Sequence, residues 1–340
     1  MSKRTRYFMI GAVATLVFGL SIGLVAYYNG GLPQLGGGSG PEQLRYVPAD
    51  AAVVAYADVH KIMNSEFRQR MKGLQAGKGE QGQQEFKAET GIDLEKDVDN
   101  VVAFMTPAQP DNNTGGAVLV TGKFDQGRIE QLITGKGGQP SDYRGKRVLT
   151  FMRHESREGT GPETAAGVAG ALVFLRGNLV VVGSEPIVRK VVDLGEGPAM
   201  GIKTNEKMEK LIADVAPKGN AWVVGRFDAL TNHANLPQEV TSRIPPISWF
   251  SASGEIDGGV AADLMVETTD ANAAANLAMV IQGLKGLAGL QAGANAEQMK
   301  QALQAFSVRQ DGPQLTVSFR LPTELLYGLA APMKKGAAVK

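Results

Sequence analysis

The segment from Tyr7 to Tyr28, YFMIGAVATLVFGLSIGLVAYY, runs for 22 residues without a charge. At 1.5 Å per residue a helix of that length spans about 33 Å, enough for a hydrocarbon core of roughly 30 Å. Backbone amides in lipid must find partners within their own segment, so a single span has to be helical. Lys3, Arg4 and Arg6 precede the run, and no further Lys or Arg occurs before Arg45. The positive-inside bias then keeps residues 1–6 in the cytoplasm and sends everything after residue 28 across the inner membrane. Tyr7, Tyr27 and Tyr28 sit where interfacial aromatics belong. A cleaved signal peptide has a shorter apolar core, ended by a small-x-small site. Ala26-Tyr27-Tyr28 fits such a site poorly, so the segment reads as a retained anchor. Gly19 and Gly23 form a GxxxG spacing, which ordinary membrane-helix composition accounts for.

Residues 29–43 follow as a linker, with NGGLPQLGGGSGPE over positions 29–42. Gly, Pro and Ser leave it flexible and unable to bury a core. The chain as a whole is 43% hydrophobic and 20% charged, the composition of a folding sequence. The formal charge is +1, and three of the positive charges lie before residue 7. The remainder is near neutral, which excludes nucleic-acid binding through a phosphate-neutralising patch. The chain contains no cysteine, so it has no disulfide, thiol nucleophile or Cys-based metal site.

The folded region reads as two similar halves, residues 44–195 and 196–329, before a tail at 330–340. Pro48 to Asp58 (PADAAVVAYAD) and Pro217 to Asp228 (PKGNAWVVGRFD) each give a turn, a β-run and an Asp suited to capping a helix. Val59, Ile62, Met63, Phe67, Met71 and Leu74 then fall near helical spacing. Val101–Met105 predicts a strand, and Gly115-Gly116 leads a second strand and Asp125 before a helix. Ile247–Ile256 and Gly258-Gly259 repeat that order up to Asp270. In the helix after Asp270, Leu277, Val280, Ile281, Leu284 and Leu287 read as one core-facing stripe; a groove for lipid or peptide is the lesser reading. A further helix carries Met299, Leu303 and Phe306, and another covers 205–215. Hairpins at Gly177-Asn178 and Asp311-Gly312 close the halves, each with a Pro near the next helix start. The expected class is α+β, with mostly antiparallel sheet and helices on one face. Whether the halves share a sheet is left open by sequence.

Three patterns carry possible chemistry. Gly77 to Gly82 (GKGEQG) matches GxGxxG, but a helix end rather than a strand precedes it, so the dinucleotide reading fails. His154 to Glu158 (HESRE) resembles HExxH with the second His replaced, on a strand end rather than a helix. Asp93, Glu95, Asp97 and Asp99 alternate as calcium ligands can, without the central Gly of that loop type. His60 and His233 read as solvated helix-start residues. Asn112-Asn-Thr114 is a formal glycosylation sequon, and no GxSxG, SxxK or Walker pattern occurs.

Leu44 to Asp58 (LRYVPADAAVVAYAD) and Thr90 to Val98 (TGIDLEKDV) resemble uncharacterised bacterial membrane-anchored envelope proteins. Those carry a duplicated α+β domain of unknown function. The resemblance implies an envelope address and a duplicated architecture, and it supplies no site residues. The expectation is therefore a tethered extracytoplasmic binding or assembly module rather than an enzyme. No catalytic, cofactor-binding or metal residue is assigned. Its membrane partner is reached through Tyr7 to Tyr28; any protein or lipid partner is unnamed. A carrier or sensor of apolar ligands is the alternative, and a metal-dependent hydrolase using His154 ranks below it.

Overall fold

The structure is a computed structural model. It describes residues 41–72, 84, 86–108, 114–153, 168–197, 201–231, 245–290 and 296–330. The expected anchor, positions 29–40 of the expected linker, Leu74, GxGxxG at 77–82, Asn112 and Asn113 of the sequon, His154 to Glu158, His233 and positions 331–340 of the expected tail lie outside these residues. Residues 41–43 correct the linker reading: Glu42 opens a 3-10 turn and Gln43 is buried and hydrogen-bonded. Among the described residues no helix is long and apolar enough to cross a membrane.

Twelve strands form one antiparallel sheet. They are β1 Val53–Asp58, β2 Val98–Ala108, β3 Thr114–Gly122, β4 Gln139–Tyr143, β5 Lys146–Arg153, β6 Val168–Arg176, β7 Leu179–Ser184, β8 Ala221–Arg226, β9 Ile247–Ile256, β10 Gly259–Thr268, β11 Phe306–Asp311 and β12 Gln314–Pro322. Their order is β11-β12-β10-β9-β8-β1-β2-β3-β7-β6-β5-β4. Reading outward from the middle, β8-β9-β10-β12-β11 mirrors β1-β2-β3-β7-β6, and the β4–β5 hairpin is extra on one side. The two halves of the chain therefore share one sheet. The central register is itself symmetric, with Val53 opposite Gly225, Ala55 opposite Val223 and Ala57 opposite Ala221.

Among the described residues the α-helices are α1 Val59–Asn64, α2 Glu66–Lys72, α3 Gln126–Gly135, α4 Glu185–Glu196, α5 Glu206–Val215, α6 Phe227–Thr231, α7 Ala271–Leu290, α8 Ala296–Gln304 and α9 Thr323–Ala330, with 3-10 turns at Glu42–Tyr46, Ile202–Thr204 and Ala216–Lys218. Several are placed by caps that the sequence announces. Asp58, Asp125 and Asn205 accept hydrogen bonds from the backbone N–H groups of Lys61, Arg128 and Met208 at 3.0, 3.0 and 3.2 Å. The expected single helix after Asp58 is two, because Ser65 adopts extended backbone and caps α2 through Arg68 N–H at 3.1 Å. Asp228 is no cap: it lies inside α6 and pairs with Arg226. The second hairpin turns at Gly312-Pro313, one residue later than expected, with Gly312 at φ 55°. The β4–β5 turn places Arg144 and Gly145 at φ 51° and 73°.

The helices occupy both faces of the sheet, which corrects the expectation of one. Every residue of β1 is buried. A strand buried on both sides needs cover on both, and its sequence VVAYA is continuously apolar rather than alternating. On one face Val54, Tyr56, Val102, Phe104, Val181 and Trp222 pack beneath α4, α5 and a 3-10 turn at Glu42–Tyr46. On the other face Val53, Ala55, Val223, Phe250, Val266 and Leu315 pack under α7. There too α3 covers Leu149, Leu172 and Val180, while α8 and α9 cover Val260, Phe319 and Leu321. Beyond β9 the first face carries Asp263, Thr316, Ser318, Ser307 and Arg309, all half-buried or exposed.

Tyr56 and Trp222 face each other across the central pair, their rings stacked with centroids 5.6 Å apart. Trp222 is 2% exposed. Truncation there leaves a cavity at the joint between the halves, and Trp222→Ala is expected to cost about 3–5 kcal/mol. Denaturant unfolding followed by circular dichroism measures it; a loss near zero would show that the central seam does not hold the halves.

Candidate functional site

Sequence patterning singled out the helix after Asp270, and the structure gives it an unexpected orientation. The Asp270 carboxylate accepts from Ala273 N–H at 2.9 Å and starts α7. In twenty residues, ANAAANLAMVIQGLKGLAGL, Lys285 is the sole charge. Ala273, Ala274 and Leu277 are buried, and Ile281 packs beside them toward Phe250, Val266 and Leu315. The rest of the expected stripe, further along the helix, is exposed, as is Met279 outside it. Met279 is 64% exposed, Val280 38%, Leu284 37% and Leu287 46%, with Gly283 and Gly286 exposed between them. An ordinary surface helix presents charged residues on that side.

Toward its C-terminal end α7 is tied to the sheet by Lys285, whose ammonium donates to the Phe306 carbonyl at 2.9 Å. A cavity of about 350 Å³ opens there between α7 and α8, lined by Lys285, Gly289, Lys300, Leu303 and Gln304. Among the described residues neither lysine joins an ion pair. An apolar floor with two cations beside it suits an amphiphile with a negative head.

The other candidates are absorbed into the framework. Lys87 donates to Asp93 at 2.7 Å and holds its carboxyl below the usual carboxylate range. Asp97 accepts from Asp93 N–H at 2.7 Å, Asp93 accepts from Glu95 N–H at 3.1 Å, and Arg68 pairs with Glu95 at 3.1 Å. These carboxylates close a turn. Among the described residues no group of three or more His, Asp or Glu side chains is placed to hold a metal ion. His60 is exposed on α1.

A buried polar set does exist at the edge of the sheet where β1 ends. Gln43 donates to Asn100 at 2.7 Å and to Thr121 at 2.5 Å. Asn220 clamps Ile256 through both its backbone groups at 2.9 and 3.1 Å. Asp58 is buried there, and burial pushes its carboxyl above the ordinary value of 3.8, with Lys61 opposing the shift. All these groups are partnered, and they pin the ends of strands rather than form an opening. Sequence reading missed the set because its members are spread from residue 43 to 256.

These features define a class: an α+β protein with one mirrored antiparallel sheet, helices on both faces and an uncharged helical surface turned to solvent. The chain belongs to the family described as protein of unknown function DUF3352, whose model matches residues 9–307. No curated protein matches it. Among solved structures it is similar to one titled "Structure of crystal form I of TP0453", at 10% sequence identity and a TM-score of 0.46, covering 86% of this chain and 97% of that one.

The orientation of α7 is directly testable. Leu277→Ala is expected to cost about 2–5 kcal/mol, whereas Leu284→Ser or Leu287→Ser should change stability by no more than about 0.5 kcal/mol. Thermal melts of the three variants separate a buried stripe from an exposed one. For Asp58, Asn keeps the cap and removes the buried charge. A raised folded-state pKa means that wild type is stabilised relative to Asp58→Asn below the ordinary carboxylate pKa. It loses that advantage as pH rises through the folded value. Comparing denaturation midpoints of the two proteins at pH 7 and pH 4 should show wild type gaining on the variant at the lower pH.

Proposed function

We propose that the chain is a membrane-tethered binding module of the bacterial cell envelope. In this reading Tyr7 to Tyr28 hold it in the inner membrane, and residues 29–40 let the folded region range over the far surface. The observation that carries the binding role is α7, where Met279, Val280, Leu284 and Leu287 are exposed along a helix whose single charged residue is Lys285. Scattered exposed aliphatics are ordinary, but a run along one helix marks a surface that another apolar body covers. The tether supports the same reading, since fixing a module near its target raises its local concentration without any new contact.

Of the described carboxylates that sequence reading put forward for calcium, Asp93 and Asp97 are engaged in turn geometry and Glu95 pairs with Arg68. Binding therefore fits the described site better than catalysis. The tether and its direction are tested together. With an epitope at the C-terminus, protease added to spheroplasts should remove the tag, and alkaline carbonate should leave the chain in the membrane pellet. Protection of the tag until the cells are lysed, or release into the carbonate supernatant, would overturn the reading.

A further inference from the structure

The uncharged side of α7 and the cavity beside it raise the question of what covers them. We propose that α7 and α8 dock on the anionic surface of the same bilayer that holds the tether. Met279, Val280, Leu284 and Leu287 enter the interfacial layer, and Lys285 and Lys300 take lipid phosphates. This rests on the tethered reading above.

Three observations select lipid as the occupant. The first is reach. The fold begins at Pro41, and Gln43 fastens that start to Asn100 and Thr121, at the edge of the sheet where β1 ends. The C-terminal part of α7 is fastened to Phe306. Phe306 lies at that same edge, since it pairs with Phe319, Phe319 with Ala262, Ala262 with Gly254, and Gly254 with Ala221 beside Ala57. From β2 to β11 is six strand spacings, roughly 29 Å at about 4.8 Å each. Residues 29–40, fully extended, reach about 40 Å. The start of the fold lies on the opposite face of the sheet from α7, so a head tethered through Tyr28 lays this part of α7 on the membrane with its linker largely extended.

The second observation is charge. The cavity is bordered by two ammonium groups and lined by no carboxylate. Lys285 spends one of its three donors on the Phe306 carbonyl and keeps the others for an anion. Glu297 lies one turn before Lys300 on α8, and among the described residues it forms no ion pair with it. The third is the composition of α7. Its exposed large side chains are apolar and it carries no carboxylate, so it offers an apolar contact with nothing to repel an anionic surface.

The chain has no native cysteine, so a single one can be introduced without background. The full-length protein carrying Leu284→Cys, labelled with an environment-sensitive nitrobenzoxadiazole dye, is reconstituted into vesicles containing about one third phosphatidylglycerol. A second sample carries the label at the exposed Ser307 on β11, on the opposite face of the sheet. Unchanged thermal melts relative to the parent confirm that each variant folds.

The label at residue 284 should be blue-shifted and at least twofold quenched by lipids bearing a nitroxide near the headgroup, with the label at 307 unaffected. Lys300→Gln, and vesicles of phosphatidylcholine alone, should each reduce that quenching severalfold. Emission from residue 284 identical to that from 307, in vesicles that retain the chain through a carbonate wash, would overturn docking and leave the tether standing. Loss of the chain in that wash would overturn both. A blue shift without quenching by lipid would overturn docking in favour of contact with protein. Quenching equal in the two lipids and in Lys300→Gln would overturn the assignment of an anionic surface.

Discussion

The antiparallel pairing of β1 with β8 is the contact on which the remaining architecture depends. It joins two half-sheets into one at strands that are apolar on both sides. Left unpaired, Val53–Asp58 and Ala221–Arg226 would each present an open edge with a hydrophobic face above and below, a template for aggregation. Paired, they bury Trp222 against Tyr56 on one face and Val223 with Ala55 in the core beneath α7 on the other. Once the seam is doubly buried, helices must lie on both faces of the sheet. Burial of this kind is non-directional, so the seam's hydrogen-bond register rather than its oil decides which residues meet.

The mirrored strand order does not extend to the helices. After the closing hairpin of the first half, α4 sends Val188, Val191 and Val192 onto the face shared with α5. After the equivalent hairpin of the second half, α9 places Leu325 and Leu326 on the opposite face, against Phe319 and Leu321. On β10, β12 and β11 that face of the second half is thus left mainly with serines, threonine and charged residues, Met265 packing at the margin of the neighbouring core. The other holds α7, α8 and α9 together. With α8 at its side and the sheet below, α7 has its remaining surface free of described neighbours, and that surface is aliphatic. The proposed membrane contact follows from this departure from symmetry.

Local chemistry made much of the framework legible. The helix starts after Asp58, Asp125 and Asp270 could be read because an Asx side chain before an amphipathic run has one favourable use, and it depends only on residues three apart; Asn205, read as the first residue of its helix, caps it in the same way. The strand Ile247–Ile256 and the Gly177-Asn178 hairpin were equally accessible, because pattern and turn chemistry are properties of adjacent residues. Asp228 misled for the same reason: its neighbour Arg226 offered a stronger partner than the helix start did. The β4 strand went unread because QPSDY has neither alternation nor β-branched residues, and it exists as an edge paired to β5.

The sequence by itself determined the α+β class, most element positions, the absence of thiol chemistry and the expectation of an uncharged membrane-length segment before the folded region. Tertiary structure decided that the two halves share one sheet, that helices cover both faces, and that Leu277 is buried while Leu284 and Leu287, further along the same helix, are exposed. Helical periodicity places residues around an axis; it carries no information about how far along that axis the sheet continues beneath them. Only the packing of α7 against β10, β12 and α8 fixes where the core ends, and therefore which apolar side chains are left for a partner.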